Sequence, residues 1–148
     1  MSPWRSPAVV DERGGSPSVE AALLAVVIGM LLVLGVAGGR MVAAESATDH
    51  AARAAARAAS IERSATAAEA RAREIARAVL DERALRCDVL DVDVDVSQFA
   101  RPLGAPASVR AEVRCAVRWS DLGLPGAPGT RDVDAAFVSP IDQLRERQ

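Results

Sequence analysis

Arg13-Gly14-Gly15-Ser16-Pro17-Ser18-Val19-Glu20 leads directly into residues 21–39, which carry no charged or strongly polar side chain, and Arg40 ends the run. As a helix rising about 1.5 Å per residue, those 19 residues would span roughly 29 Å, the thickness of a bilayer's hydrocarbon layer. The segment is therefore read as a single membrane crossing. A secretory signal peptide would have a shorter apolar region introduced directly by basic residues, whereas here an acidic Glu20 stands at the mouth of a long one. The boundaries expected are a leader at residues 1–15, a transmembrane helix at 16–39, a helical arm at 40–86 and a small β module at 87–148 ending in a polar tail.

Once the span is set aside, little of the 148-residue chain remains to enclose a large core or a roomy cleft, which excludes a large soluble enzyme. The net charge of −2 divides into −1 for residues 1–39, +2 for 40–86 and −3 for 87–148. No segment has the basic excess that phosphate backbones demand, so nucleic acid is not an expected partner. One His, two Cys, no Tyr and no Lys leave few general bases or nucleophiles; all eighteen basic residues are Arg. No catalytic residue, cofactor or metal is expected. His50 reads as a solvated helix residue, having neither a second His nor a nearby Cys to join it.

Ser16 is a good N-cap and Pro17 a good first helical residue, and Pro17 keeps a helix from running back through Gly14-Gly15. The bond after Gly15 is thereby left in open chain beside the membrane. Glu20 has two readings, an acid that complements the helix dipole in the first turn or a functional carboxylate. Ala21, Ala25 and Gly29 recur at intervals of four, and Gly35 and Gly39 form a small-xxx-small pair that lets helix backbones approach closely; Gly and Ala are also simply common in membrane helices. Arg5 and Arg13 before the span and Arg40, Arg53 and Arg57 after it balance too evenly to orient the crossing.

Residues 40–86 contain no Gly or Pro and are dominated by Ala, Arg and Glu, all strong helix formers. Glu45, Asp49, Arg53 and Arg57 fall on one i, i+4 stripe, with Asp49 and Arg53 a plausible ion pair, while Ala43, Ala47, Ala51, Ala54, Ala55 and Ala58 are expected to line an apolar face made of methyl groups. The pattern loses register near residues 60–66. Thr66-Ala67-Ala68-Glu69 matches a capping box, so a second helix is expected from about Ala67 to Arg86 with Ile75, Val79 and Leu85 as its buried edge.

Beyond Cys87 the period becomes two. Asp91, Asp93 and Asp95 alternate with Val92, Val94 and Val96; Val109, Ala111, Val113, Cys115, Val117 and Trp119 alternate with Arg110, Glu112, Arg114 and Arg118; Val133, Ala135 and Phe137 continue the theme. Pro- and Gly-rich loops separate the runs, giving a three-stranded antiparallel meander in which the Asp face of the first strand could meet the Arg face of the second. Asp91-x-Asp93-x-Asp95 opens like a calcium loop, but Val96 stands where Gly is needed and Pro102 where a bidentate Glu is needed. Cys87 and Cys115 form a disulfide if the module is exported, or remain two buried thiols if it is not.

Gly15, the Pro17 stop and Glu20 as the fifth residue counted from Ser16 resemble the processing site of type IV pilin-like proteins, in which a prepilin peptidase cuts after a Gly. With the apolar helix, the Ala/Arg arm and the cysteine-bearing sheet, the chain as a whole resembles the TadE-like minor pilins or pseudopilins of tight-adherence pilus and secretion systems. That resemblance implies an α+β, membrane-anchored, pilin-like fold. It also implies cleavage between Gly15 and Ser16, and Glu20 pairing with the new α-amino group of a neighbouring subunit. The implied partners are the bilayer, prepilin peptidase, other pilin-like subunits and the assembly machinery. The implied placement is a single pass in the inner membrane with the N-terminus cytoplasmic and the C-terminal module outside the cytoplasm. Many pilins begin with a methylated Phe; this one would begin with Ser16. The rival readings are a membrane-tethered sensor or accessory binding protein with an uncleaved N-terminus, whose Asp and Arg strand faces would hold a partner, and a tethered hydrolase, for which no nucleophile–base set is present.

Overall fold

Nothing in the sequence after Pro17 interrupts helix formation until residue 60, and the backbone follows suit. The computed structural model describes residues 17–102 and 104–142, and in it the apolar run and the first part of the arm form one helix, α1 (Pro17–Ser60). Its 44 residues extend about 66 Å. The helix changes character along its length. The large apolar side chains from Leu23 to Val36 are 50–68 % exposed, and no residue of the apolar run is buried. From Ala44 onward one side is sealed.

The arm continues as α2 (Ala65–Glu82), and the sheet consists of β1 (Val89–Asp95), β2 (Ala107–Arg118) and β3 (Thr130–Ile141), antiparallel in the order β1-β2-β3. A 3-10 turn, Ser97–Ala100, lies between β1 and β2. The three-stranded meander expected from the period-two runs is present. α1 packs across β2 and β3, while α2 lies alongside α1 and reaches β1, so two helices form one layer over a single sheet face.

The core between these layers is made largely of methyl groups. Ala47, Ala51, Ala55 and Ala59 with Ala52 and Ala56 of α1 meet Ala68, Ala72, Ala76 and Leu80 of α2 and Val109, Ala111 and Val113 of β2. Burial therefore follows the i, i+4 lines through Ala47 and Ala44 rather than the face expected from counting every alanine. Ala43 is exposed, and Ala54 and Ala58 are half-buried. On α2 the buried line is Ala68, Ala72, Ala76 and Leu80, with Ile75 and Val79 only half-buried, because the small residues allow α2 to lie close to α1 where larger side chains would hold it off. Leu85 packs at the edge of the core as expected. Among the described residues the three buried polar side chains are all bonded. Thr48 Oγ1 donates to the Ala44 carbonyl (2.9 Å), Ser60 Oγ donates to the Arg57 carbonyl (2.9 Å), and Ser139 Oγ donates to Ser60 Oγ (3.1 Å).

The break near residues 60–66 is present, but its cap differs from the expected box. Ser64 is the N-cap, in extended conformation, its hydroxyl accepting from the Ala67 N–H (3.3 Å), while Glu69 pairs with Arg73 at 3.1 Å. A start at Ala65 rather than Ala67 brings Ala68 into the first turn, its N–H bonded to the Ser64 carbonyl, and so into the buried line. The far end of α2 stops at Glu82, four residues short of expectation, in a Schellman motif. The Leu85 N–H bonds the Leu80 carbonyl and the Ala84 N–H bonds the Asp81 carbonyl. Ala84 occupies the left-handed position with φ 53°, where glycine is favoured. This tight reversal turns the chain toward Cys87 and the sheet.

Cys87 and Cys115 are joined in a disulfide with Cα atoms 5.2 Å apart, tying the exit of α2 to the middle strand. Cys115 is fully buried in a second cluster with Ala44, Val117, Leu122 and Val133. On the outer sheet face Asp91 opposes Arg114 and Asp95 opposes Arg110, but Asp93 opposes Glu112, so the expected acid-to-base matching holds at two of three positions. Arg114 turns to Glu112 of its own strand, and that bond, with the charges of Glu112, Asp91 and Asp134, raises its guanidinium pKa. These exposed pairs contribute little to stability.

Two stability outcomes follow. Reducing the disulfide, or replacing both cysteines by Ser, should cost about 3.5 kcal/mol for a crosslink of 28-residue separation, read as a lowered midpoint in urea unfolding followed by circular dichroism. Ala84→Gly should raise stability by about 0.5–1 kcal/mol, because relief of left-handed strain exceeds the added entropy of the unfolded chain; an unchanged or lower midpoint would contradict this account of the turn.

Candidate membrane and assembly interface

The expected site residues fall in three places. Gly15 and Ser16 lie outside the described residues. Glu20 stands exposed in the first turn of α1, where it complements the helix dipole. Gly29, Gly35 and Gly39 lie along the exposed half of α1, and a Cβ placed on any of them would meet nothing within 4 Å. These positions are thus open to close approach by another helix. His50 is exposed on α1. Among the described residues no group of three or more His, Cys, Asp and Glu side chains is placed to hold a metal ion. Asp95 instead accepts the Ser97 N–H at 3.0 Å, opening the 3-10 turn, and bonds from Ser97 hold its carboxyl below the usual carboxylate range.

One feature was hidden in the sequence. The loop after β2 folds back onto the end of the apolar run. A Cβ on Gly123 would lie 3.5 Å from Val36 Cγ1, 3.7 Å from Arg40 Cδ and 3.8 Å from Ala37 Cα. The guanidinium of Arg40 donates to the Asp121 carbonyl at 3.0 Å. Gly123 has φ +95°, which permits the sharp bend, and Leu122 beside it is buried against Cys115 and Val117. The module therefore meets α1 where hydrocarbon-compatible sequence ends, with no linker between them. Gly123, Gly126 and Gly129 all have positive φ, so the glycine spacing of the loop was the available signal for a tightly folded segment. Its partner on α1 had no sequence signal.

The other half of α1 is dressed for water. Arg53 bonds Asp49 at 3.0 Å, as the stripe suggested, and Arg53 and Arg57 lie over the Phe137 ring at 5.3 and 6.0 Å from its centroid, shielding the half-buried edge of β3.

Residues 15–57 match the model of the TadE-like protein family. Over that segment the chain is similar to TadE-like proteins. The resemblance read from Gly15, Glu20, the apolar run and the Ala/Arg arm is thereby shown over that segment, which begins at Gly15 and ends within α1. No curated protein and no solved structure matches the chain. The TadE-like segment contains a helix long and apolar enough to cross a bilayer, consistent with a membrane anchor.

The placement of the loop at the end of the span has a direct readout. The chain has two tryptophans, Trp4 and Trp119, and the Trp119 carbonyl accepts from the N–H groups of Leu122 and Leu124 in that loop. In a Trp4→Phe variant reconstituted into vesicles, Trp119 fluorescence should be quenched by lipids brominated high on the acyl chain and less by lipids brominated near its end. Emission indifferent to bromine would remove the loop from the bilayer surface.

Proposed function

We propose that the protein is a structural minor pilin or pseudopilin that takes part in assembling a tight-adherence pilus or a related secretion apparatus, and that it has no catalytic role. The observation that carries the reading is the family match beginning at Gly15 and running over Glu20 and the whole apolar run. In this reading a prepilin peptidase removes residues 1–15 and leaves Ser16 with a free α-amino group. Glu20 then neutralises that group on a neighbouring subunit, in surroundings of low dielectric where an unpaired charge is costly. The open positions at Gly29, Gly35 and Gly39 receive neighbouring helices. Until assembly, the apolar half of α1 holds the subunit in the membrane.

The disulfide between Cys87 and Cys115 supports an extracytoplasmic module, since such bonds persist in oxidising compartments, and with it an inner-membrane protein whose N-terminus is cytoplasmic. The partners on this reading are the bilayer, prepilin peptidase, other pilin-like subunits and the assembly machinery.

Gly15→Leu should leave a precursor about 15 residues longer than the mature chain, seen by intact mass of the membrane fraction, and Glu20→Gln should be processed normally yet reduce assembled subunits at least severalfold. A native chain that still begins at Met1 would favour a tethered sensor or accessory protein instead, and undiminished assembly by Glu20→Gln would remove the carboxylate–amine pairing.

A further inference from the structure

A cavity of about 400 Å³ opens where α1, the turn after α2 and the loop after β2 meet, and its wall includes Arg40, Arg83, Arg86, Ala44, Leu85 and Leu122. Arg40, Arg83 and Arg86 are exposed, and none of the three has a carboxylate partner within ion-pair distance among the described residues. Arg53, Arg71, Arg73, Arg110, Arg114 and Arg118 have one, whereas Arg57, Arg63, Arg77 and Arg131 also lack one; what sets Arg40, Arg83 and Arg86 apart is that they line one cavity. The acid in the same wall, Asp121, directs its carboxylate to Arg118 (3.6 Å) and the Ser120 hydroxyl (3.5 Å), while its carbonyl accepts from Arg40 (3.0 Å). The pocket thus keeps three guanidinium charges against one carboxylate already engaged elsewhere.

Its height relative to the membrane follows from α1. Arg40 is the first residue past the apolar run, and Ala47, the farthest α1 residue in the wall, lies about 10 Å further along the axis. The polar layer of a leaflet is roughly 5–8 Å thick. The cavity therefore stands at headgroup depth, its arginines beside its aliphatic wall.

We propose that this pocket binds the phosphate of an anionic phospholipid headgroup. Guanidinium forks match phosphate oxygens in pairs, and Leu85, Leu122 and the alanines give the lipid's glycerol region an apolar wall. A cavity of this size accommodates a headgroup and leaves the acyl chains along the exposed half of α1. Bound there, the lipid fixes the depth of α1 and the seating of the module on the membrane. The proposal rests on residues 17–39 crossing the bilayer and is independent of pilus assembly.

The test uses the full chain in mild non-ionic detergent, offered equal amounts of phosphatidylglycerol and phosphatidylcholine and examined by native mass spectrometry. The expected result is at least fivefold preferential retention of one phosphatidylglycerol, reduced to parity in Arg83→Gln/Arg86→Gln and kept in Arg83→Lys/Arg86→Lys. Circular dichroism checks that both variants are folded, and Arg40→Gln serves as a second neutralised variant, expected to weaken the preference severalfold. Equal retention of both lipids by the parent, or a preference that survives both neutralised variants, overturns the site. A preference abolished by 10 mM inorganic phosphate overturns the lipid as its source in favour of free phosphate. Release of the parent chain from membranes by alkaline carbonate overturns the anchor itself, whereas a carbonate-resistant chain without lipid preference overturns the pocket alone.

Discussion

A single helix has to satisfy two environments. Over its first half α1 must offer hydrocarbon-compatible side chains in every direction, and over its second half it must offer a narrow face to which another helix and a sheet can come close while Asp49, Arg53 and Arg57 keep the opposite side in water. The backbone does not change between the two; only the side chains do. Because the loop at Gly123 packs at the seam, the β module is seated directly on the end of the apolar run, and a shift of α1 along its own axis carries the module with it.

The choice of alanine for the second half has energetic consequences. A methyl group removes little apolar area from water, so an interface built from Ala47, Ala51, Ala55, Ala68, Ala72 and Ala76 stabilises through closeness of backbones rather than through bulk. Closeness also leaves no tolerance, since an extra methylene at a fully buried alanine must push the helices or the sheet apart. The larger side chains that remain, Leu80, Val109, Val113, Val117, Leu122 and Phe99, come from α2's end, the strands and their connections. The disulfide reinforces a corner where this thin core has least to offer, between the exit of α2 and the buried centre of β2.

The elements were legible because each follows a period. The uncharged run before Arg40, the Gly- and Pro-free arm and the alternation from Asp91 to Val96 and from Val109 to Val117 each admit one regular structure. Local pattern does not fix the cap of α2, because Ser64 and Thr66 are both competent N-caps; what selects Ser64 is the register that places Ala68 in the core, a tertiary preference. Nor does it fix the end of α2, since Ala84, an excellent helix former, adopts a left-handed conformation there to turn the chain toward Cys87. The arginine-lined pocket was beyond reach for a third reason. Arg40, Arg83, Arg86 and Leu122 are far apart in sequence and meet only because α2 runs back beside α1 and the β2–β3 loop folds over both.

These differences bear on why the recognisable segment stops inside α1. Residues 15–57 answer to constraints that few sequences meet together: an uncharged run of membrane length, a carboxylate in its first turn and small residues at fixed spacing on the continuing helix. The sheet answers to a looser one, since apolar alternation with polar outer positions is met by many sequences, and the outer face here tolerates even the opposition of Asp93 to Glu112. The strict pattern thus lies where one helix combines an apolar half long enough to cross a bilayer with a half that forms a methyl-packed core, and the loose pattern lies in the sheet that covers the latter.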